Sequence, residues 1–269
     1  MVNLGVVGHP SDWLIASEVD YKKAKKLFDI NLIDIDIDEL ILLSNVISTP
    51  CDPSIFEDRF DEEELNKAYH IYLALKEIIK KYNLKGLTIR CFDLLGTLKS
   101  TSCLAFALLN KEGYIATCEG DIPSMISMHL LRELLNKEAF QANPSKINIE
   151  DNSIILAHCT LPLSMCTSYK FDTHYESGLG VGIKGELELG DIFIFRLNNT
   201  LDKFVLLKGK IIENLNLKNL CRTQINVALE DNVDYFLKRP LGNHHLIVYA
   251  GGEDILRKYL LDKNLKEIK

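Results

Sequence analysis

The apolar positions of this chain follow two rhythms. Its first half opens on VNLGVV, residues 2–7, a nearly continuous apolar run that stops at Gly8 and reads as a strand buried on both faces. After a polar turn, VDYKKAKKLF (19–28) presents one apolar face at helical spacing. INLIDIDIDELILL (30–43) reads as a second strand running into a helix, with Leu32, Ile33, Ile35 and Ile37 set among Asp34, Asp36 and Asp38. The segment 56–83 is amphipathic at a 3.6-residue period, with acids in its first turns and lysines in its last, the order a helix dipole favours. GLTIRCF (86–92) predicts a third strand, LKSTSCLAFALLNKEG (98–113) a helix stopped by Gly113, YIATCEG (114–120) a fourth strand and DIPSMISMHLLRELLN (121–136) the helix after it. Strand and helix in alternation predict a parallel sheet flanked by helices.

Near the Asn143-Pro144 pair the pattern shortens. SIILAHCTL (153–161), GVGIKGEL (180–187), DIFIFRL (191–197), KFVLLKGKII (203–212), RTQINVAL (222–229) and HHLIVYAGG (244–252) read as strands split by turns. Helical spacing returns only in EDILRKYLLDKN (253–264). The expectation is an α/β chain: a parallel-sheet, flavodoxin- or Rossmann-like domain over 1–144, then an all-β domain over 145–269 closed by a C-terminal helix.

Composition narrows the class of partner. The 269 residues are 47% hydrophobic and 26% charged, which excludes a disordered or collagen-like chain. A net charge of −7 argues against nucleic acid and against an anionic membrane surface. The one lysine cluster, Lys22, Lys23, Lys25 and Lys26, sits on a short predicted helix. No run approaches the roughly 18 apolar residues of a membrane span, and the N-terminus carries no cationic leader. Seven cysteines, odd in number and without a CxxC pair, fit a reducing compartment, so a cytoplasmic protein is expected.

Parallel sheets place ligands at the carboxyl ends of their strands, and the fourth strand ends at Cys118-Glu119-Gly120-Asp121 before a helix. Asp121, followed by Pro123, reads as an N-cap. Glu119 has apolar neighbours and no sequence-local partner; a buried carboxylate needs a counter-charge, a metal or a raised pKa. His158 is a lone imidazole in an apolar strand, either a satisfied core histidine or a ligand. His174 and Glu176 alternate, which on an extended segment aims both at one face. His244 and His245 precede a buried strand, where neighbours point to opposite faces, so at most one of them joins a common site. A Glu with histidines from separate strands offers oxygen and nitrogen donors to a divalent ion such as Mn²⁺.

At these residues the sequence resembles the L-fucose isomerase / L-arabinose isomerase superfamily over almost its full length. GHPSDWLIAS, LTIRCFDLL, TSCLAFALLNKEGYIATCEGDIPSMISMHLL, FQANP, ILAHCTLP, THYESGLGVG, CRTQ and GNHHLIVYAGG carry the likeness in order. The resemblance implies aldose–ketose isomerisation of a sugar through a cis-enediol, with Mn²⁺ or another divalent ion and carboxylates that move the proton. It implies Glu119 as metal ligand and acid/base, His244 as ligand with His245 as the alternative, and His158 as a further ligand. Asn143 stands where the family's second carboxylate is expected; an amide cannot transfer that proton, which turns attention to Asp121 and Glu176. His174, Glu176, Arg222 and Asn143 are then expected to face the substrate, with Arg222 reading equally as a strand-end salt bridge. The resemblance further implies homo-oligomers and a chain that starts at the family's second domain. The competing expectation is a non-catalytic sugar- or metal-binding relative.

Overall fold

In a computed structural model of the chain, residues 1–52, 54, 56 and 58–268 are described. Four parallel strands, β1 (Val2–Val7), β2 (Ile30–Ile35), β3 (Gly86–Ile89) and β4 (Ile115–Thr117), form one sheet in the order β2-β1-β3-β4. That order matches the first four strands of a flavodoxin-like sheet, and no fifth parallel strand joins it among the described residues. The connecting helices are α1 (Tyr21–Phe28), α2 (Ile37–Val46), α3 (Glu62–Tyr82), α4 (Asp93–Leu98), α5 (Cys103–Lys111) and α6 (Ile122–Leu135). Caps set their starts: Asp20, Asp36, Asp61 and Asp121 each accept backbone N–H groups from the first turn that follows. Glu57, in the acidic stretch read as leading into α3, lies outside the described residues.

The second half is a β-barrel. β5 (Phe140–Asn148), β6 (Ser153–His158), β9 (Gly190–Leu197), β10 (Lys203–Asn214), β11 (Thr223–Leu229) and β12 (His245–Tyr249) run β11-β6-β5-β12-β9-β10, and β10 pairs back onto β11 to close the ring. These six pair antiparallel throughout. A short strand β13 (Lys266–Ile268) adds in parallel beside β10. β7 (Cys166–Asp172) and β8 (Gly182–Leu187) make a separate antiparallel pair against the barrel and α5. Two helices, α7 (Asp234–Lys238) and α8 (Glu253–Asp262), interrupt the β pattern.

Sequence periodicity misses or displaces several of these elements, and the cases of β5, β7 and α5 have clear physical reasons. β5 contains Pro144, and its pairing with β6 shifts register between Pro144 and Lys146, the irregularity that lets a strand carry a residue without an N–H. β7 is half exposed and polar, so no apolar alternation marks it. The helix read over 98–113 begins only at Cys103, because Lys99 takes a left-handed turn (φ 47°) that separates it from α4.

Helix α6 joins the two halves. Every residue from Ile122 to Leu131 is buried, the signature of a helix covered all round. It packs on β3 and β4 on one side and on β9 and β12 of the barrel on the other. Phe193, Phe195, Leu246 and Val248 of the barrel wall share a core with Ile122, Met125 and Ile126. Full burial of each such side chain contributes about 1.5–3 kcal/mol, enough to fix the start of α6 against the barrel rim. The barrel interior is a second core, including Ile154, Leu156, Ile194, Ile225 and Ile247. Among the described residues, no helix is long and apolar enough to cross a membrane.

Candidate functional site

The chain turns sharply between β4 and α6. Glu119 and Gly120 are both left-handed (φ 60° and 63°). A Cβ at Gly120 would lie 2.6 Å from the His9 carbonyl oxygen, so only glycine fits there. Two hydrogen bonds from the backbone hold the turn: Gly120 N–H donates to the Ile89 carbonyl at 2.8 Å, and Cys118 N–H donates to the Gln141 side-chain Oε1 at 2.8 Å. The result puts the Glu119 carboxylate at the carboxyl edge of the parallel sheet, where it meets the barrel rim.

Three groups from distant parts of the chain converge there. Glu119 Oε1 lies 3.3 Å from His244 Nε2 and 3.8 Å from His158 Nε2. The His158 and His244 rings meet edge to face, with centroids 5.2 Å apart. Thr160 Oγ1 sits 2.9 Å from His158 Nδ1, and Asp121 Oδ2 sits 2.9 Å from His244 Nδ1, so both imidazoles are fixed through Nδ1 and present Nε2 to the carboxylate. The indole N–H of Trp13 donates to the other oxygen, Oε2, at 2.9 Å. Asp121 is the N-cap of α6, accepting from Ser124 N–H, and is sealed completely, with Arg196 bonded to both of its oxygens at 2.8 and 3.2 Å.

Charge coupling dominates the electrostatics. Burial works to raise the pKa of Glu119, but His244 and His158 outweigh it and hold the carboxyl well below the usual range. Burial works to lower His244, but Glu119 and Asp121 outweigh it and push it up to about 9. Burial, only partly opposed by Glu119, lowers His158. Asp121 is likewise held low: burial opposes, and Arg196 and His244 prevail.

The rim is looser. His174 and Glu176 do not lie on an extended segment as their alternation predicts. A turn closed by Gly178 N–H to His174 O (2.8 Å) and His174 N–H to Leu179 O (3.0 Å) carries them instead, with Gly178 and Gly180 left-handed. The turn keeps the two side chains together, Nε2 to Oε2 3.8 Å. Burial lowers the pKa of His174 to about 4, with His158 adding to the shift, and raises that of Glu176, with Glu119 adding to it. Arg222 donates to the Thr173 carbonyl (2.6 Å) and hydroxyl (3.1 Å) and pairs with Asp172 at 3.4 Å, so it braces this turn. Phe92 bridges Trp13 and His174 by edge-to-face contacts, and Arg90 stacks over Trp13.

With this geometry in view, similarity to known proteins adds a separate observation. A stretch of 161 residues is 27% identical to the sulfoquinovose isomerases of Priestia aryabhattai and Priestia megaterium, covering 57% of this chain and 36% of each relative. The sulfoquinovose isomerase of a Clostridium species is 22% identical over 205 residues, 69% of this chain and 44% of that protein. No family model matches the chain. The chain is a distant relative of sugar isomerases. The matched stretches account for less than half the length of these relatives.

Beside those isomerase relatives, the two adjacent histidines part company. His244 joins Glu119, whereas His245 is buried in the barrel against Tyr235 and Phe236, with Tyr235 Oη 2.8 Å from its Nε2, and burial drives its pKa down to about 3. Asn143 lies on β5 opposite Ala157, the residue before His158, and its side chain makes no hydrogen bond among the described residues. Trp13, Arg196 and Cys118 are the partners that sequence reasoning missed. Trp13 is the chain's single tryptophan and Arg196 a lone cation inside the apolar run IFIFRL, and those were the available signals.

The donor set fits a divalent cation. His244 Nε2 is wholly buried and makes no hydrogen bond among the described residues, an orphaned polar atom beside a carboxylate. Cys118 Sγ, a Glu119 oxygen and a His158 nitrogen lie within 4.8 Å of one another. Contact with Cys91 and burial keep the Cys118 thiol well above its ordinary pKa, which leaves the Glu119 carboxylate and the two imidazoles as the donors, His244 once an ion displaces its proton.

Proposed function

We propose that this chain carries the metal-dependent proton-transfer site of an aldose–ketose isomerase, of the L-fucose/L-arabinose isomerase type, and that its substrate is a sugar derivative with sulfoquinovose the first to test. The observation that supports this most is the orphaned Nε2 of His244 facing Glu119 Oε1 at 3.3 Å, with His158 Nε2 beside them. Glu119, His158 and His244 would hold Mn²⁺ or a similar ion. Such an ion supplies Lewis acidity, polarising a sugar carbonyl and the neighbouring hydroxyl so that the proton on the carbon between them is more easily lost.

The chain's own groups divide the remaining work. Trp13 fixes one Glu119 oxygen and leaves the other turned inward. Asp121 is fully engaged by Arg196, His244 and Ser124, so the mobile proton falls to Glu176, whose pKa burial raises above the ordinary carboxylate range, which eases uptake of a proton. His174, 3.8 Å away and uncharged at pH 7, orients Glu176 without competing for the proton. A second copy of the chain is part of the proposal, through the family resemblance.

The test is turnover by the Mn²⁺-loaded protein on sulfoquinovose, with pentoses and 6-deoxyhexoses in parallel, followed by NMR of the ketose product. A ketose formed by native protein and formed about 100-fold more slowly with Glu176→Gln supports the reading. Asn143 favours a second reading, a sugar- and metal-binding relative without turnover, because an amide cannot act as the second proton carrier. Mn²⁺ and sugar binding with no ketose in the whole panel selects that second reading.

A further inference from the structure

Arg196 is the largest side chain in the molecule with almost no exposure, at 0%, and it emerges from β9 in an otherwise apolar wall. A buried guanidinium is expensive and needs its donors matched. Here Nη1 reaches Asp121 Oδ2 (2.8 Å), Ser124 Oγ (2.8 Å) and His244 O (2.6 Å). Nη2 reaches Asp121 Oδ1 (3.2 Å) and Ala16 O (2.9 Å). These acceptors belong to three chain segments. Ala16 closes the loop that carries Trp13, Asp121 and Ser124 begin α6, and His244 leads into β12. The backbone also makes room for the group: a Cβ on Gly242 would lie 2.1 Å from Nη2 and 2.4 Å from Nε, so a side chain there would expel the guanidinium.

The convergence has a direction. The Asp121 oxygen that Arg196 Nη1 binds is the one that meets His244 Nδ1 at 2.9 Å. A carboxylate on Nδ1 holds that nitrogen as an N–H donor, so when an ion displaces the Nε2 proton it is Nε2, facing Glu119 Oε1, that is left to bind it. We propose that Arg196 is a positioning residue for the metal centre: through Asp121 it fixes the ring and tautomer of His244, and through Ala16 and the His244 carbonyl it sets the Trp13 loop and the barrel strand at one distance from Glu119. This rests on the reading of Glu119 and His244 as metal ligands. A bridge that merely joined the two halves would not need to route its charge through the imidazole that faces Glu119.

The test separates the two roles by metal affinity in the absence of sugar. Replacing a buried ion pair as a unit tends to spare the fold, so the double variant Asp121→Asn with Arg196→Met removes the positioning charge at small cost in stability. Calorimetry with Mn²⁺ alone is expected to show about 10- to 100-fold weaker binding, with the near-UV circular dichroism unchanged. Native Mn²⁺ affinity in that folded double variant overturns the proposal. If the double variant does not fold, Arg196→Lys decides: it keeps the charge but cannot span all five acceptors. Binding at least about tenfold weaker supports positioning, and unchanged binding overturns it. Glu119→Gln is the control on the underlying reading. Its retention of full Mn²⁺ affinity would remove the metal site itself, a failure distinct from the failure of Arg196 to position it.

Discussion

The floor and the rim of the site use the same residue types to opposite ends. On the floor, Asp121, Arg196 and His244 are fully buried, and their charges are locked to one another across three chain segments. On the rim, Glu176, His174 and Arg222 stand on or against a glycine-flanked turn, with Glu176 more than half exposed. A sealed cluster holds geometry at the cost of titrating freely; an open one keeps a carboxylate able to exchange its proton. The difference teaches where each kind of chemistry belongs: ligand placement below, proton traffic above.

The largest effect that would sharpen this contrast is Glu119→Gln, expected to abolish Mn²⁺ binding by calorimetry while the fold persists, since the amide brings no charge to the two imidazoles. Next comes Arg196→Met alone. Stranding the Asp121 charge should cost about 3–5 kcal/mol in urea unfolding, and a loss no greater than that of a surface substitution would refute the sealed floor. On the rim, Glu176→Gln should lower kcat about 100-fold with Mn²⁺ affinity unchanged; a matching loss of affinity would merge the two regions into one.

Acid and base should then probe the halves from opposite sides. His244 has a folded pKa of about 9 against an ordinary 6.5, so its charge stabilises the metal-free fold below 6.5 and that contribution is lost as pH rises through 9. His174 is depressed to about 4, so the unfolded chain binds the extra proton and stability falls as pH drops from 6.5 toward 4. Against native protein, which shows both slopes, the melting curves of His244→Gln and His174→Gln should each lose one, and an unchanged alkaline slope in His244→Gln would discard the buried imidazolium. The smallest effect belongs to Arg222→Met, about 1 kcal/mol, because its pair with Asp172 is partly solvated.

Much of this architecture could be read from residue order, because periodicity reports which faces are buried. The continuous apolar runs of β1, β3 and β4 and the helical spacing of the segments between them follow from it directly. Glu119 was legible as a strand-end carboxylate after an apolar run, His158 as a lone imidazole in an apolar strand, and His244 only as one of two adjacent histidines before a buried strand. The partners that orient them were not. Trp13 is 106 residues from Glu119, and Arg196 is 75 from Asp121; no local pattern encodes a hydrogen bond made only when two sheets close on one helix. The turn that carries His174 escaped for the reverse reason. Two-residue alternation is shared by strands and by tight turns, and the glycines at 178 and 180 decide between them only through their left-handed backbone.

The indole that holds Glu119 has an optical consequence. It is the molecule's single tryptophan, 42% exposed, so all tryptophan emission comes from one ring whose N–H is 2.9 Å from the Glu119 carboxylate. Whatever occupies that carboxylate changes the environment of the only such fluorophore in the chain, and a fluorimeter can follow the loading of the site in the native sequence, without a label and without knowing the sugar.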